Sequence, residues 1–139
     1  MEIKIKLIDK ECAPERHGDW IDLKAAETVE YKKGDFVMIP LGVAMKLPKG
    51  HEGHLLPRSS TFKKYGVLLV NGTGIIDNAY CDDGDQWCFP ALAMRDGVIN
   101  KGERVAQFRV VESMDSFVTF DVVDSLEAPN RGGFGSTGR

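Results

Sequence analysis

The sequence has few cysteines, no long apolar segment and no excess of basic residues, and each shortage narrows the possible functions. Its three cysteines, Cys12, Cys81 and Cys88, are odd in number and fit neither a CxxC pair nor a zinc-ligand spacing. We therefore expect reduced, unpaired thiols. No apolar run approaches the ~20 residues of a membrane-spanning helix, and the first residues do not form a secretory signal. These shortages indicate a cytoplasmic protein without membrane contact.

Charge and motif content argue against further classes of function. The formal net charge is −3, whereas proteins that bind the nucleic-acid backbone present a basic face. The sequence contains no GxxxxGK[ST] phosphate loop, no HExxH zinc motif and no calcium-loop spacing. We therefore expect no nucleic-acid partner, and a phosphorylated ligand would have to be held by a few local groups.

The pattern of short apolar runs predicts a single all-β domain. Residues 1–8 alternate apolar and charged side chains, which is typical of a half-buried strand. Further runs, most of them separated by glycine or proline, lie at residues 36–39, 43–47, 54–56, 67–70, 87–94, 105–111 and 117–122. Only residues 59–65 resemble a helical turn, with Ser59 or Ser60 placed to cap it. Short strands at such regular spacing indicate a sandwich, barrel or jelly roll.

Residues 65–90 contain the most informative stretch. An apolar run at 67–70 enters the turn-rich tetrad 71–74, and a second short run is followed by Asp77 and then Tyr80. This pattern predicts two strands around a tight hairpin, whose glycines would let bare amides and carbonyls approach a ligand. A buried hairpin with Asp77 as an ordinary surface residue at a strand end is the simpler interpretation of this stretch alone.

Four other unusual segments lie along the chain in order, at residues 18–26, 57–60, 102–108 and 131–138. Together with NGTGIIDNAY at 71–80, they resemble the five motifs of the homotrimeric dUTPase family, in the family's order and with near-family spacing. The acidic stretch at 82–85 resembles a variant found in some bacteria and their viruses. The resemblance implies a distorted jelly roll that forms a homotrimer, with each site built from more than one subunit. It also implies hydrolysis of dUTP to dUMP and pyrophosphate, which limits uracil in DNA and supplies dUMP for thymidylate synthesis.

The resemblance assigns Asp77 as the catalytic carboxylate, which orients or deprotonates the water that attacks the α-phosphorus. The uracil and deoxyribose would be bound by residues of the third motif, namely Asn71, Gly74, Ile76 and Tyr80. The phosphate chain would be bound by residues of the second and fourth motifs, namely Arg58, Ser59, Ser60 and Gln107. Asp22 would help to place Mg²⁺ through water, because Mg²⁺ keeps much of its hydration. Arg104 could support the site or be a charge at a strand edge, and Asp22 could be purely structural.

The last residues are rich in glycine, and their composition alone is typical of a flexible tail. The family uses its fifth motif as a lid, so we expect a β-domain over residues 1–124 and a lid over residues 125–139. The lid residues expected to contact nucleotide are Arg131, Phe134, Gly135, Ser136 and Thr137. In the lid, the spacing between Arg131 and Phe134 is shorter than in most members of the family.

Two alternatives to dUTP hydrolysis stay open at this point. The first is a relative of dCTP deaminase with the same fold, although that enzyme's usual catalytic glutamate would be expected where Asp77 stands. The second is a regulatory protein that grips a protein partner, with nucleotide deciding whether the tail is ordered.

Overall fold

The computed structural model describes residues 1–114 and 117–135. The described residues form twelve strands, one α-helix and one 3₁₀ turn at Lys10–Cys12. The strands are β1 Lys4–Leu7, β2 Glu15–His17, β3 Trp20–Lys24, β4 Val29–Tyr31, β5 Phe36–Pro40, β6 Val43–Lys46, β7 His51–Pro57, β8 Val67–Leu69, β9 Gly74–Ile76, β10 Cys88–Ala93, β11 Gly97–Ile99 and β12 Arg104–Glu112. The helix α1 spans Thr61–Tyr65. The expectation of an all-β fold with one short helical turn is confirmed.

Two antiparallel sheets enclose most of the core. One has five strands in the order β2-β3-β12-β7-β9, and the other has three in the order β5-β10-β8; β1 pairs with β6 and β4 pairs with β11. The inner residues of β10 alternate with outer ones, so that Phe89, Ala91 and Ala93 are buried. Between the sheets, the rings of Trp87 and Phe108 meet edge to face with their centroids 5.1 Å apart. The core therefore joins both sheets into one domain.

Helix α1 ends at Gly66, which adopts a φ of +69° and donates its N–H to the carbonyl of Phe62. This left-handed C-terminal residue is the conformation that glycine adopts at little cost. Ser60 occupies the N-cap position but makes no side-chain capping hydrogen bond. The expected serine cap is therefore wrong, because the hydroxyl that bonds to the backbone at this end belongs to Thr61.

The apolar runs at 67–70 and 75–76 are both extended, but the predicted hairpin between them is wrong. β8 pairs with β10 and β9 pairs with β7, so the two strands lie in different sheets. The turn between them contains Gly72 at a φ of +70°, and it carries the chain from one sheet to the other. The register of each pairing places the buried residues of both strands on the core side of the sheet. In the β8–β10 pairing, for example, Leu69 lies opposite Ala91.

The strand expected at 117–122 is also absent, since the described residues of this segment have no regular structure. Phe120 and Val122 are 92% and 94% exposed, so no described part of the chain covers them. An isolated apolar run cannot hold a strand conformation without a neighbour to satisfy its backbone groups. Among residues 1–114 and 117–135, no helix is long and apolar enough to cross a membrane.

Candidate active site

A cleft of about 320 Å³ lies beside the end of β9 and is also lined by residues of β5 and β10. Its lining includes four of the residues expected to bind nucleotide in the third motif, together with the expected catalytic carboxylate. These residues are Asn71, Gly74, Ile76, Tyr80 and Asp77. The structure therefore brings the third motif together in one place.

Asp77 follows β9 directly, and its side chain is fixed by a tight turn. Its Oδ1 accepts a hydrogen bond from the N–H of Ala79 at 2.7 Å, and its carbonyl accepts one from the N–H of Tyr80 at 3.0 Å. Its Oδ2 makes no hydrogen bond to the described residues, and the residue as a whole is exposed. The carboxylate thus has one anchored oxygen and one that can accept a proton or a water hydrogen.

Two neighbours keep this turn in place: Asn78, which sequence reasoning did not assign, and Tyr80, which it did. The side-chain amide of Asn78 donates to the carbonyls of Pro48 and His51 at 2.8 and 2.9 Å, which ties the turn to the loop before β7. The hydroxyl of Tyr80 donates to the carbonyl of Gln86 at 2.9 Å. Partial burial raises the pKa of Tyr80, and the negative charge of Asp85 adds to the effect, so its hydroxyl stays protonated at neutral pH.

The backbone of β9 is available to a ligand because β9 is an edge strand of the five-stranded sheet. Gly74 through Ile76 pair with β7 on one side and line the cleft. Edge strands present unpaired N–H and C=O groups on their open side. At Gly74, an added Cβ would lie 3.1 Å from the Cβ of Leu55, so a side chain would press on β7. Glycine here keeps both the pairing and the access to the backbone.

A second polar cluster lies on the outer face of the same sheet, around Asp22 of β3. Asp22 is only 3% exposed. Its Oδ1 lies 3.2 Å from Nε of Arg58, and its Oδ2 lies 3.5 Å from Nη1 of Arg104. Arg104 also lies 2.8 Å from the imidazole Nε2 of His17, which accepts a hydrogen bond from the guanidinium. Two guanidinium groups therefore flank one buried carboxylate.

The donor set around Asp22 is compatible with an indirectly held Mg²⁺. Although Arg104 is near, Oδ2 of Asp22 makes no hydrogen bond and is buried; a buried carboxylate oxygen of this kind usually has a partner. The described residues contain no group of three or more His, Cys, Asp or Glu side chains that could hold a metal ion. Mg²⁺ would therefore take its remaining ligands from water and from a ligand's phosphates.

The other residues expected to bind phosphate lie next to this cluster. Gln107 is opposite Asp22 in the sheet, and its Nε2 donates to the carbonyl of Pro57 at 3.1 Å. Ser59 is exposed and Ser60 is half-buried, and both directly follow Arg58. The structure thus brings Asp22, Arg58 and Gln107 together, with the two serines at their edge.

The two groups of expected site residues are well separated along β7. Gly53 pairs with Ile76, so Asp77 lies at the level of Glu52, whereas Arg58 follows the other end of the strand. Six residues of extended chain span about 20 Å. Of the expected lid residues, Arg131, Phe134 and Gly135 are exposed, while Ser136 and Thr137 lie outside the described residues. The site is therefore incomplete within one described chain.

Comparisons with known proteins identify the family. The family model described as dUTPase matches residues 12–138. The SPbeta prophage-derived deoxyuridine 5'-triphosphate nucleotidohydrolase YosS of Bacillus subtilis is 50% identical over 99% of both chains. A deoxyuridine 5'-triphosphate nucleotidohydrolase of Lactococcus lactis is 35% identical, covering 88% of this chain and 83% of its own.

Solved structures give the same answer for the fold. The dUTPase of Streptococcus mutans superimposes with a TM-score of 0.74 and 29% identity, covering 85% of this chain and 98% of its own. A mutant of the Staphylococcus bacteriophage 80alpha dUTPase with dUpNHpp superimposes with a TM-score of 0.80 and 23% identity, covering 99% of both chains. These neighbours have the dUTPase jelly-roll fold, so the expected jelly roll is confirmed. Because the family model spans most of the sequence and a half-identical relative covers nearly all of it, the chain belongs to the dUTPase family.

Proposed function

We propose that this chain hydrolyses dUTP to dUMP and pyrophosphate, with Asp77 directing water onto the α-phosphorus. The observation that carries the proposal is the third motif. Its residues converge on one cleft, at whose edge Asp77 has one anchored and one free carboxylate oxygen. A carboxylate held in this way accepts a proton from water or orients its lone pair toward an electrophile.

Base and sugar selection belongs to the same cleft in this proposal. The open side of β9 and the turn at Asn71 would supply backbone donors and acceptors that match the edge of uracil, and the cleft would leave no space for a 5-methyl group. Tyr80 packs its ring beneath the deoxyribose, where a 2′-hydroxyl would clash. Its hydroxyl is already bonded to the carbonyl of Gln86, so the ring has a fixed position before the ligand arrives.

The phosphate chain is assigned to Arg58, Ser59, Ser60 and Gln107. Nε of Arg58 forms an ion pair with Asp22. This contact orients the remaining N–H groups of the guanidinium, whose planar shape is well suited to phosphate oxygens. Asp22 helps to hold Mg²⁺ through water. When bound, Mg²⁺ neutralises the charge of the phosphate oxygens.

The C-terminal segment, residues 125–139, is proposed to close over the bound nucleotide as a lid. Phe134 would stack on the uracil, with Arg131, Gly135, Ser136 and Thr137 near the phosphates. The described part of this segment supports the proposal, because residues 125–135 are exposed and leave Phe134 free to find an aromatic partner. We also assign the reaction to the cytoplasm, which suits the free thiols of Cys12, Cys81 and Cys88.

A homotrimer is the proposed assembly, and the site itself supports it. Asp77 lies beside one end of β7 and Arg58 follows the other end, and the extended chain between these levels spans about 20 Å, which is too far for both to reach the reacting phosphate. The bare outer face of the three-stranded sheet gives further support. This outer face is apolar throughout, being formed by Phe36, Met38, Pro40, Leu68, Val70, Cys88, Pro90 and Leu92. Contiguous exposed apolar surface of this kind marks an interface, and Met38 and Pro90 also line the cleft.

Mixed assemblies test the shared site directly. Asp77→Asn and Arg58→Gln chains are each expected to be inactive alone, because every site of either assembly lacks one group. If Asp77 and Arg58 of one site come from different subunits, refolding the two variants together in equal amounts restores about one site in four. Pyrophosphate release measures the recovery, and sedimentation gives the mass. An active monomer, or no recovery in verified mixed trimers, would contradict the shared site.

The substrate itself is tested by incubating the chain with each deoxynucleoside triphosphate and Mg²⁺. We expect pyrophosphate from dUTP and little from the other four. Thymine carries the 5-methyl group, cytosine presents a 4-amino donor where uracil has the O4 acceptor, and the purines are larger than uracil. Conversion of dCTP to a uracil nucleotide would instead support the deaminase alternative. The family and the named relatives do not favour that alternative, nor a purely regulatory role.

A further inference from the structure

We propose that Thr61 is a positioning residue, whose hydroxyl fixes the distance between the Arg58–Ser60 segment and strand β12. The inference rests on the proposed function, in which Arg58 and Gln107 bind the phosphate chain. Thr61 itself is fully buried and would touch no ligand. Its effect would pass through the residues that it holds.

The hydroxyl of Thr61 joins two parts of the backbone at once. Its Oγ1 accepts a hydrogen bond from the N–H of Arg58 at 2.8 Å and donates one to the carbonyl of Val105 at 2.9 Å. A hydroxyl has one donor hydrogen and two acceptor lone pairs, so both bonds can exist together. Arg58 and β12 are thereby connected through a single buried atom.

Strand β12 needs such a partner at this point because its ladder is interrupted. The register with β3 shifts between Arg104 and Ala106, so Val105 has no partner in that pairing. A bulge leaves its extra residue unpaired and redirects the neighbouring side chains. The hydrogen bond from Thr61 satisfies the carbonyl of Val105. Arg104 precedes this residue in β12, and Gln107 follows it by two residues.

The far end of α1 is attached separately to the loop before β12. The hydroxyl of Tyr65 donates to the carboxylate of Glu103, and Nζ of Lys64 lies 3.1 Å from the same carboxylate. Because the bond from Tyr65 favours the ionised form, the pKa of Glu103 is lowered to about 2, with the backbone N–H of Asn100 contributing. This second attachment holds the helix on the domain when the Thr61 hydroxyl is removed.

The test compares Thr61→Val with Thr61→Ser in the full-length chain. Valine keeps the shape but removes both hydrogen bonds, whereas serine keeps the hydroxyl. For Thr61→Val we expect kcat/KM for dUTP to fall about 10²-fold, since a shift near 1 Å in a positioned group has that effect. Thr61→Ser should recover most of this loss. The competitive inhibition constant of deoxyuridine, which has no phosphates, should be unchanged in both variants because α1 does not line the base cleft.

The possible results separate the two proposals. Absence of pyrophosphate release by the unmodified chain would overturn the proposed function and this inference with it. If the unmodified chain is active, two results would overturn the inference alone. One is a kcat/KM for Thr61→Val equal to that of the unmodified chain, and the other is a loss in Thr61→Ser as large as that in Thr61→Val. Weaker inhibition by deoxyuridine in Thr61→Val, together with a lower melting temperature, would assign Thr61 to the stability of the whole domain and also overturn it.

Discussion

Replacing Asp77 with asparagine is expected to lower kcat for dUTP by about 10²–10⁴-fold, which is the usual contribution of a general base. Asparagine keeps the side-chain oxygen that accepts the N–H of Ala79, so the turn should survive. It removes the negative charge and the basicity of the free oxygen. Binding of a non-hydrolysable dUTP analogue should therefore stay within a few-fold of the unmodified chain. Pyrophosphate release gives kcat, and calorimetry gives the affinity.

Asp83→Asn is the matched control for this experiment. Asp83 belongs to the acidic stretch at 82–85, its side chain is 91% exposed, and its nearest cation, Nζ of Lys6, lies 3.9 Å away. The same chemical change there should leave kcat unaltered, because exposed and loosely paired charges contribute little. Near-normal turnover by Asp77→Asn would show that another group directs the water.

Truncation after Asn130 is the second change with a large expected effect. The described residues of the tail are exposed, so the β-domain should keep its melting temperature when they are removed. Fixing a residue on closure costs ~1–2 kcal/mol, and contacts from Phe134 and Arg131 to the base and phosphates must offset that cost. We expect at least a 10²-fold loss of kcat/KM for dUTP. The loss in affinity should be smaller for dUMP than for a non-hydrolysable dUTP analogue, because dUMP lacks the outer phosphates.

Proteolysis of the full-length chain provides an independent measurement of the lid. Cleavage near Arg131 should slow when the dUTP analogue is present and should not change with deoxyuridine. Phe134→Ala, which removes only the stacking ring, should fall between the intact and truncated chains in kcat/KM. A truncated chain with full activity, or a tail equally resistant with and without ligand, would leave the inert-tail interpretation in place.

Local patterns predicted much of the fold because they act over short distances. The alternation at residues 1–8 and the apolar run before Asn71 were enough to place β1 and β8. The same patterns could not predict which strands pair with each other. β8 pairs with β10 and β9 with β7, because the pairing depends on which part of the core each strand packs against. The run at 117–122 carried a strand pattern without any covering neighbour among the described residues.

The site was predictable as a set of segments but not as an arrangement. Motif order predicts Asp77, Arg58 and Gln107 as site residues, yet spacing along a chain does not reveal that β7 separates Asp77 from the other two. Asn78 and Thr61 were missed for a related reason. An amide or hydroxyl acquires its role from the backbone groups that the fold brings within reach, and neither carries a local signature.

The carboxylate of Asp22 has a consequence for how this sequence can evolve. Replacing it alone by a neutral residue would leave the guanidiniums of Arg58 and Arg104, whose side chains are 25% and 37% exposed, without their shared carboxylate. Breaking a fully buried charge group typically costs about 3–5 kcal/mol, and the cost here should be smaller because water reaches both guanidiniums. That cost arises before any ligand binds. We therefore expect substitutions at these three positions to be coupled, so a library that varies them one at a time would discard combinations that a joint library retains.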